Sequence, residues 1–124
     1  MDSALPFRPQ DTGALLAVTN LAPSSATQPG GPTGPVGDVV YLVYNPASQS
    51  DAWIGYGPTS AAAIANAIVP LITAPTPDPA NNGGGTFVAP TGTLQGITLV
   101  GQQYFAARCQ LNSASVWIQP GYGV

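Results

Sequence analysis

The chain predicts an all-β protein, a small antiparallel β-sandwich or jelly-roll-like barrel of about seven strands joined by long Gly/Pro loops. Three observations carry that expectation. Short runs rich in Val, Ile, Tyr and Thr recur at roughly the eight-to-twelve-residue spacing of sandwich strands. Between them lie 15 glycines and 14 prolines in 124 residues, about twice the usual joint share. Charged residues are 6% of the chain, against about 25% in an average soluble domain, so the strands carry few charged faces.

In chain order, residues 1–13 read as an extended arm, because Pro6 and Pro9 disfavour helix. Ala14–Asn20 (ALLAVTN) is the first strand. Residues 21–37 form a loop in which GPTGPVG has glycine at every third place. Two such triplets are too few for a collagen triple helix, so an ordinary loop is the reading. Asp38–Asn45 (DVVYLVYN) is the clearest strand. Asn45-Pro46 opens a turn, and Asp51–Gly57 (DAWIGYG) reads as the hairpin partner.

Residues 59–69 read as one short helix. Thr59 or Ser60 would cap it, Ala61, Ile64, Ala65 and Ile68 would share one face, and Pro70 would end it. An extended, Ala-rich strand is the alternative. A second loop fills residues 71–85. Strands then follow at Thr86–Ala89, Thr93–Val100, Gln103–Cys109 and Ser113–Gln119, punctuated by Gly92, Gly101 and the Asn112-Ser113 turn. The organisation is a single domain: an arm, strand and loop over 1–37 and a sandwich body over 38–124.

Strand alternation says more than strand number. In DVVYLVYN, Val39, Tyr41 and Val43 point one way and Val40, Leu42 and Tyr44 the other. Tyr104 and Ala106 oppose Phe105, Ala107 and Cys109, and Val116 and Ile118 oppose Trp117. A lone sandwich with solvated outer faces should alternate apolar and polar residues, yet here several strands are apolar on both. Either the long loops cover the outer faces or other subunits do, and the second is the expectation.

The inventory excludes much chemistry. The cations are Arg8 and Arg108, the acids Asp2, Asp11, Asp38, Asp51 and Asp78, and Lys, Glu and His are absent, for a net charge of −3. Nucleic-acid binding needs many cations to release counterions. A metal centre needs clustered Cys, His or carboxylates. General acid–base catalysis draws mostly on His, Glu, Asp and Lys. The expectation is therefore no enzyme, no cofactor, no metal and no nucleic-acid partner.

Cys109 stands alone, which forbids an internal disulfide and fits a small buried hydrophobe. The longest apolar stretch, AAAIANAIVPLI, is too short to span a bilayer and contains Asn66 and Pro70. MDSALPFRPQDTG lacks the pattern of a secretory leader. A soluble protein made in a cytosol, with no membrane association, is the expectation.

Individual motifs resolve mostly into plain structure. Gly55 and Gly57 in IGYGPTS read as a strand-ending turn, not a dinucleotide fingerprint. Asp38 and Asp51 at strand starts would have to converge to hydrolyse glycosides, and backbone capping in turns is the simpler role. Trp53, Tyr56, Trp117 and Tyr122 could stack on a glycan, but packing in the core or at an interface is preferred. Arg108, mid-strand, should pair with an Asp or a carbonyl at a subunit contact. The scarcity of charge suits a chain buried among neighbours, since interface cores are depleted of Lys, Glu and Asp.

Three segments carry a resemblance: YLVYNPASQSDAWIGYGPTSAAAIANAIVP, FVAPTGTLQGITLVGQQYFAARC and ASVWIQPGYG. Their order is an apolar strand ending in Asn45, an aromatic strand over Trp53–Gly57, the Ala/Ser/Thr-rich stretch Thr59–Pro70, the turn Pro90–Gly92, Tyr104–Ala107, and the final strand Val116–Gly123. Over residues 38–124 this resembles a group of small virion structural proteins of tailed bacteriophages. The resemblance implies a β-sandwich subunit of the capsid surface, of the decoration or cement kind. It implies self-association, as a homotrimer, and contact with the major capsid protein, the protein being made in the host cytoplasm. A neck or tail subunit and a carbohydrate-binding module of a fibre are the alternatives. The candidate interface residues are Phe7, Arg8, Tyr41, Tyr44, Trp53, Tyr56, Arg108, Trp117 and Tyr122.

Overall fold

Alternating aromatic and β-branched residues build eight strand segments around one short helix in a computed structural model, which describes residues 8–9, 13–30, 37–46, 50–69, 84–100, 103–109, 111 and 113–122. The segments are β1 (Arg8–Pro9), β2 (Ala14–Thr19), β3 (Asp38–Asn45), β4 (Ala52–Gly57), β5 (Gly85–Ala89), β6 (Thr93–Val100), β7 (Tyr104–Cys109) and β8 (Ser113–Tyr122), with α1 (Ser60–Asn66) between β4 and β5. They form two antiparallel sheets. One runs β1/β2–β8–β3–β6 and the other β5–β4–β7. The form is a β-sandwich of two separate sheets, not a closed barrel. β1 and β2 lie on the same edge of β8 and count as one edge position.

The register shifts between the two segments. Pro9 pairs with Gly121 and Ala14 with Ile118, so the edge strand uses two more residues than β8 across the gap. Pro120 sits opposite that gap and has no N–H to offer the edge. β2 pairs along its whole length with Ser113–Ile118.

Inner faces follow the alternation. Leu16, Val18, Val39, Tyr41, Val43, Val116 and Ile118 from one sheet meet Ala52, Ile54, Ala89, Phe105, Ala107 and Cys109 from the other, all buried. The Tyr41 and Phe105 rings cross edge to face, with centroids 4.8 Å apart. Such a pair adds about 1 kcal/mol beyond the area it buries.

The expected hairpin between residues 38–45 and 51–57 does not form. β3 pairs with β6 and β8, while β4 lies in the other sheet beside β5 and β7. The chain changes sheets after Asn45, and a buried side chain holds the crossing. Asn45 Nδ2 donates to the Ser50 carbonyl at 3.2 Å and to the Ala89 carbonyl at 2.7 Å, joining the ends of both sheets. The next crossing, β5 to β6, turns through Gly92 at φ 79°, a left-handed conformation that suits glycine.

The helix forms, but with a different face inward. Thr59 caps it, its hydroxyl accepting from the Ala62 N–H at 3.1 Å. Ala62, Ala63 and Ala67 are buried, whereas Ala61, Ile64 and Ala65 face outward. The floor beneath α1 explains this inversion. A β-carbon on Gly55 would collide with the backbone of Ala63, Asn66 and Ala67, and one on Gly57 with the Ala62 side chain. Only alanines fit against such a floor, so the larger isoleucine is turned away. The helix ends at Asn66, before Pro70.

Part of the segment expected as loop also packs. Ser24 N–H donates to the Ala107 carbonyl at 2.8 Å, and Thr27 exchanges backbone bonds with Phe105. This strip covers the outer edge of β7.

Candidate functional site

The doubly apolar strands are accommodated differently in the two sheets. Beyond β4 and β7, α1 and Ala26 pack onto Ala106 and Tyr104, so the outer side of that sheet is covered by the chain itself. The other sheet has no such cover among the described residues. Register then sets its outer face. Leu15 pairs with Trp117, Trp117 with Tyr44, and Tyr44 with Leu94. Four apolar or aromatic side chains therefore stand in one row across four strands. They are 62%, 40%, 45% and 62% exposed in that order.

Neighbouring rows are Ala17 and Ser115 on one side and Gln119, Leu42 and Gly96 on the other. None of these is charged. Gly13 seats the indole, since a β-carbon there would collide with the Trp117 ring and the Gln119 side chain. The ring is thus held on the sheet by packing, which pre-organises it as a contact. An uncharged row of large apolar side chains, flat and held by four strands, has the physical character of a protein-binding surface.

The sequence-predicted residues scatter around this row. Tyr44 and Trp117 lie in it. Tyr41 is fully buried in the core, where its hydroxyl accepts from the Gln103 N–H at 3.2 Å, which removes it from the interface set. Tyr56 is half-buried and turned inward, with its ring 6.0 Å from that of Phe87. Trp53 is half-buried on the outer side of the second sheet, and Tyr122 is half-buried at the end of β8 opposite Arg8. The four-aromatic platform does not assemble, because Trp53 and Trp117 belong to opposite faces of the sandwich.

Arg108 finds its carbonyls within its own chain. Its Nε and Nη2 donate to Asn20 O at 3.2 and 3.0 Å, and Nη2 also to Leu21 O at 3.3 Å. It ties the start of the 21–30 segment to β7 and needs no subunit contact for this. Arg8 contributes backbone pairing in β1, and Phe7 lies outside the described residues. Leu15 and Leu94 were not anticipated. Alternation places Leu94 opposite Gln95 and Ile97, but only the register shows that it extends the Trp117–Tyr44 row.

The chemical alternatives are dispersed. Asp38 pairs with Val100 at one end of β3, and Asp51 accepts from the Thr91 N–H at 2.8 Å beyond the other end. The rest of β3 lies between, on the order of 20 Å of chain. Asp51 does what a turn aspartate does, satisfying a backbone amide. Among the described residues no three His, Cys, Asp or Glu side chains group as for a metal ion. No described helix is long and apolar enough to cross a membrane.

Two buried groups respond to alkali. Burial pushes the Tyr41 hydroxyl above its ordinary 10.0 and the Cys109 thiol above its ordinary 9.0, each partly offset by a hydrogen bond. The unfolded chain releases these protons at ordinary values while the folded chain keeps them. Stability is therefore unaffected below the ordinary values and falls as pH rises through about 9 and then 10. Denaturant midpoints from about pH 7 to 11 should show this fall, and Cys109→Ala should remove its lower part. A midpoint level across that range would contradict the burial of both groups.

No family model, curated protein or solved structure matches the chain.

Proposed function

We propose that the protein is a non-enzymatic structural subunit of a virion, a capsid cement or decoration protein of a tailed-phage head. One observation carries the reading: an uncharged, apolar row on the only extensive sheet face that the described chain leaves uncovered. A free monomer would gain little from exposing Trp117, Tyr44, Leu15 and Leu94 together, whereas a subunit buried against neighbours gains their full area. The segment resemblance to tailed-phage virion proteins supplies the setting, the capsid surface. The partners are further copies of the chain, as a homotrimer, and the major capsid protein. Repetition over a shell would turn modest single contacts into a firm hold.

A second reading keeps one specific support. Trp117 and Tyr44 are direct cross-strand neighbours, so a different aromatic pair from the one expected could stack on a glycan. The flanking leucines argue for protein instead, since a sugar site needs polar groups beside its platform. Particles assembled with and without the chain decide the matter under heat or osmotic shock. The cement role requires that particles lacking it lose their contents sooner. Equal survival rejects it.

A further inference from the structure

We infer that β6 is a self-pairing edge, through which two copies of this chain join their larger sheets across a two-fold axis. Among the described residues the sandwich has four sheet edges, and three are protected. The β1/β2 edge shifts register against β8 by two residues between Pro9 and Ala14, β7 is covered by the strip at Ser24 and Thr27, and β5 is only five residues long. β6 is eight residues, TLQGITLV, with no charge and no proline. Natural edges are blunted by charges, prolines, bulges or short length; β6 is irregular only at its start, where Gly92 and Thr93 both face Asn45, and the run from Leu94 to Val100 has none of these.

The direction of its free groups follows from the ladder. The Asn45 carbonyl points toward β6, accepting from the Gly92 N–H at 2.7 Å. In an antiparallel ladder such residues alternate. Gln95, Ile97 and Leu99 therefore bond to β3, while the Thr93 N–H turns back to the Pro90 carbonyl at 3.2 Å, and Leu94, Gly96, Thr98 and Val100 present N–H and C=O outward. Among these the Val100 carbonyl accepts from Gln103 Nε2 at 2.6 Å, which leaves it a second lone pair.

Self-complementarity selects both the partner and the register. Two antiparallel copies keep equivalent faces together only when paired residue numbers sum to an even value. With the axis at Ile97, Leu94 lies opposite Val100 of the second copy and Gly96 opposite Thr98. Leu94 and Val100 are the exposed large apolar side chains of β6, at 62% and 68%, and this register covers each with the other. Every outward backbone group then meets a partner, and Ile97 faces its own copy in a non-hydrogen-bonded pair. The Leu15–Trp117–Tyr44–Leu94 rows of the two copies become one wider apolar face. This two-fold pairing is a contact of the chain in solution, separate from the three-fold clustering proposed on the particle, and stands whether or not the virion reading does.

Sedimentation of the purified chain over a concentration series is the first measurement, with a reversible dimer as the expected result. Thr98→Pro removes an outward N–H at an edge position where proline is tolerated, and should weaken dimerisation about a hundredfold. Its thermal midpoint as a monomer should stay near that of the unaltered chain. A disulfide reports the register. In a Cys109→Ala background, Ile97→Cys should cross-link to its own copy, since paired α-carbons there lie about 4.5 Å apart, within disulfide reach. Gln95→Cys should not. A monomer at every concentration, a dimer indifferent to Thr98→Pro, or cross-linking through Gln95→Cys instead would each overturn the assignment.

Discussion

Gly55→Ala is expected to cost the fold about 3 kcal/mol, lowering Tm by roughly 12 °C for a domain of this size. The added methyl would point at the backbone of Ala63, Asn66 and Ala67. Backbone atoms cannot rotate away as a side-chain tip does, so α1 must lift as a unit. Lifting it would uncover Ala63, Ala67 and Ala106 together. Gly96→Ala is the control, because there the nearest atoms are side-chain carbons of Leu42 and Val40 at 3.7 Å. That change should stay within about 0.5 kcal/mol, as surface substitutions usually do. Thermal unfolding of the two variants separates them. Equal midpoints would mean that α1 is not seated on β4 as described.

The same contact shows what the sequence could and could not disclose. That residues 59–69 form a capped helix is legible, because Thr59 is a good cap and the alanines favour helix. Which face turns inward is not. Hydrophobicity puts Ile64 and Ile68 inside, but the space is set by Gly55 and Gly57 on a strand that only the tertiary fold places underneath. The strand-to-strand order fails for a related reason. Asp38–Asn45 and Asp51–Gly57 carry the local pattern of a hairpin, with the turn signal Asn45-Pro46 after the first. What sends the chain to the other sheet is the buried Asn45 amide reaching Ala89, 44 residues away. No local pattern encodes such a bond.

The two-faced apolar strands are the most legible feature, and the structure divides their meaning. Subunit burial and coverage by the chain itself were competing explanations. For the sheet of β4 and β7, coverage is internal, through α1 and the strip at residues 24–27. For the sheet of β3 and β8, no described segment provides it. The interface set read from the sequence mixes these situations. Tyr41 and Tyr44 are three residues apart, and strand alternation sends one into the core and the other to the surface. Alternation was visible in the sequence, but which side was inside became fixed only when Phe105 from the other sheet met Tyr41.

Under the proposed cement role, Tyr44→Ser combined with Trp117→Ser should leave the sandwich folded and sharply weaken attachment to the particle. Both residues lie on an outer face, so their truncation removes no core volume, and Tm should move by only a few degrees. At an interface, buried aromatic anchors commonly contribute about 2 kcal/mol each. Losing two should weaken attachment by roughly a thousandfold. Tyr41→Ser provides the contrast. It removes a fully buried ring packed 4.8 Å from Phe105, and should cost about 4 kcal/mol of stability. Binding of the purified variants to particles stripped of this chain is the measurement. A double variant that still decorates the particle at native occupancy would exclude the row as the attachment surface. A double variant that folds but stays free would place the attachment on the Leu15–Trp117–Tyr44–Leu94 row.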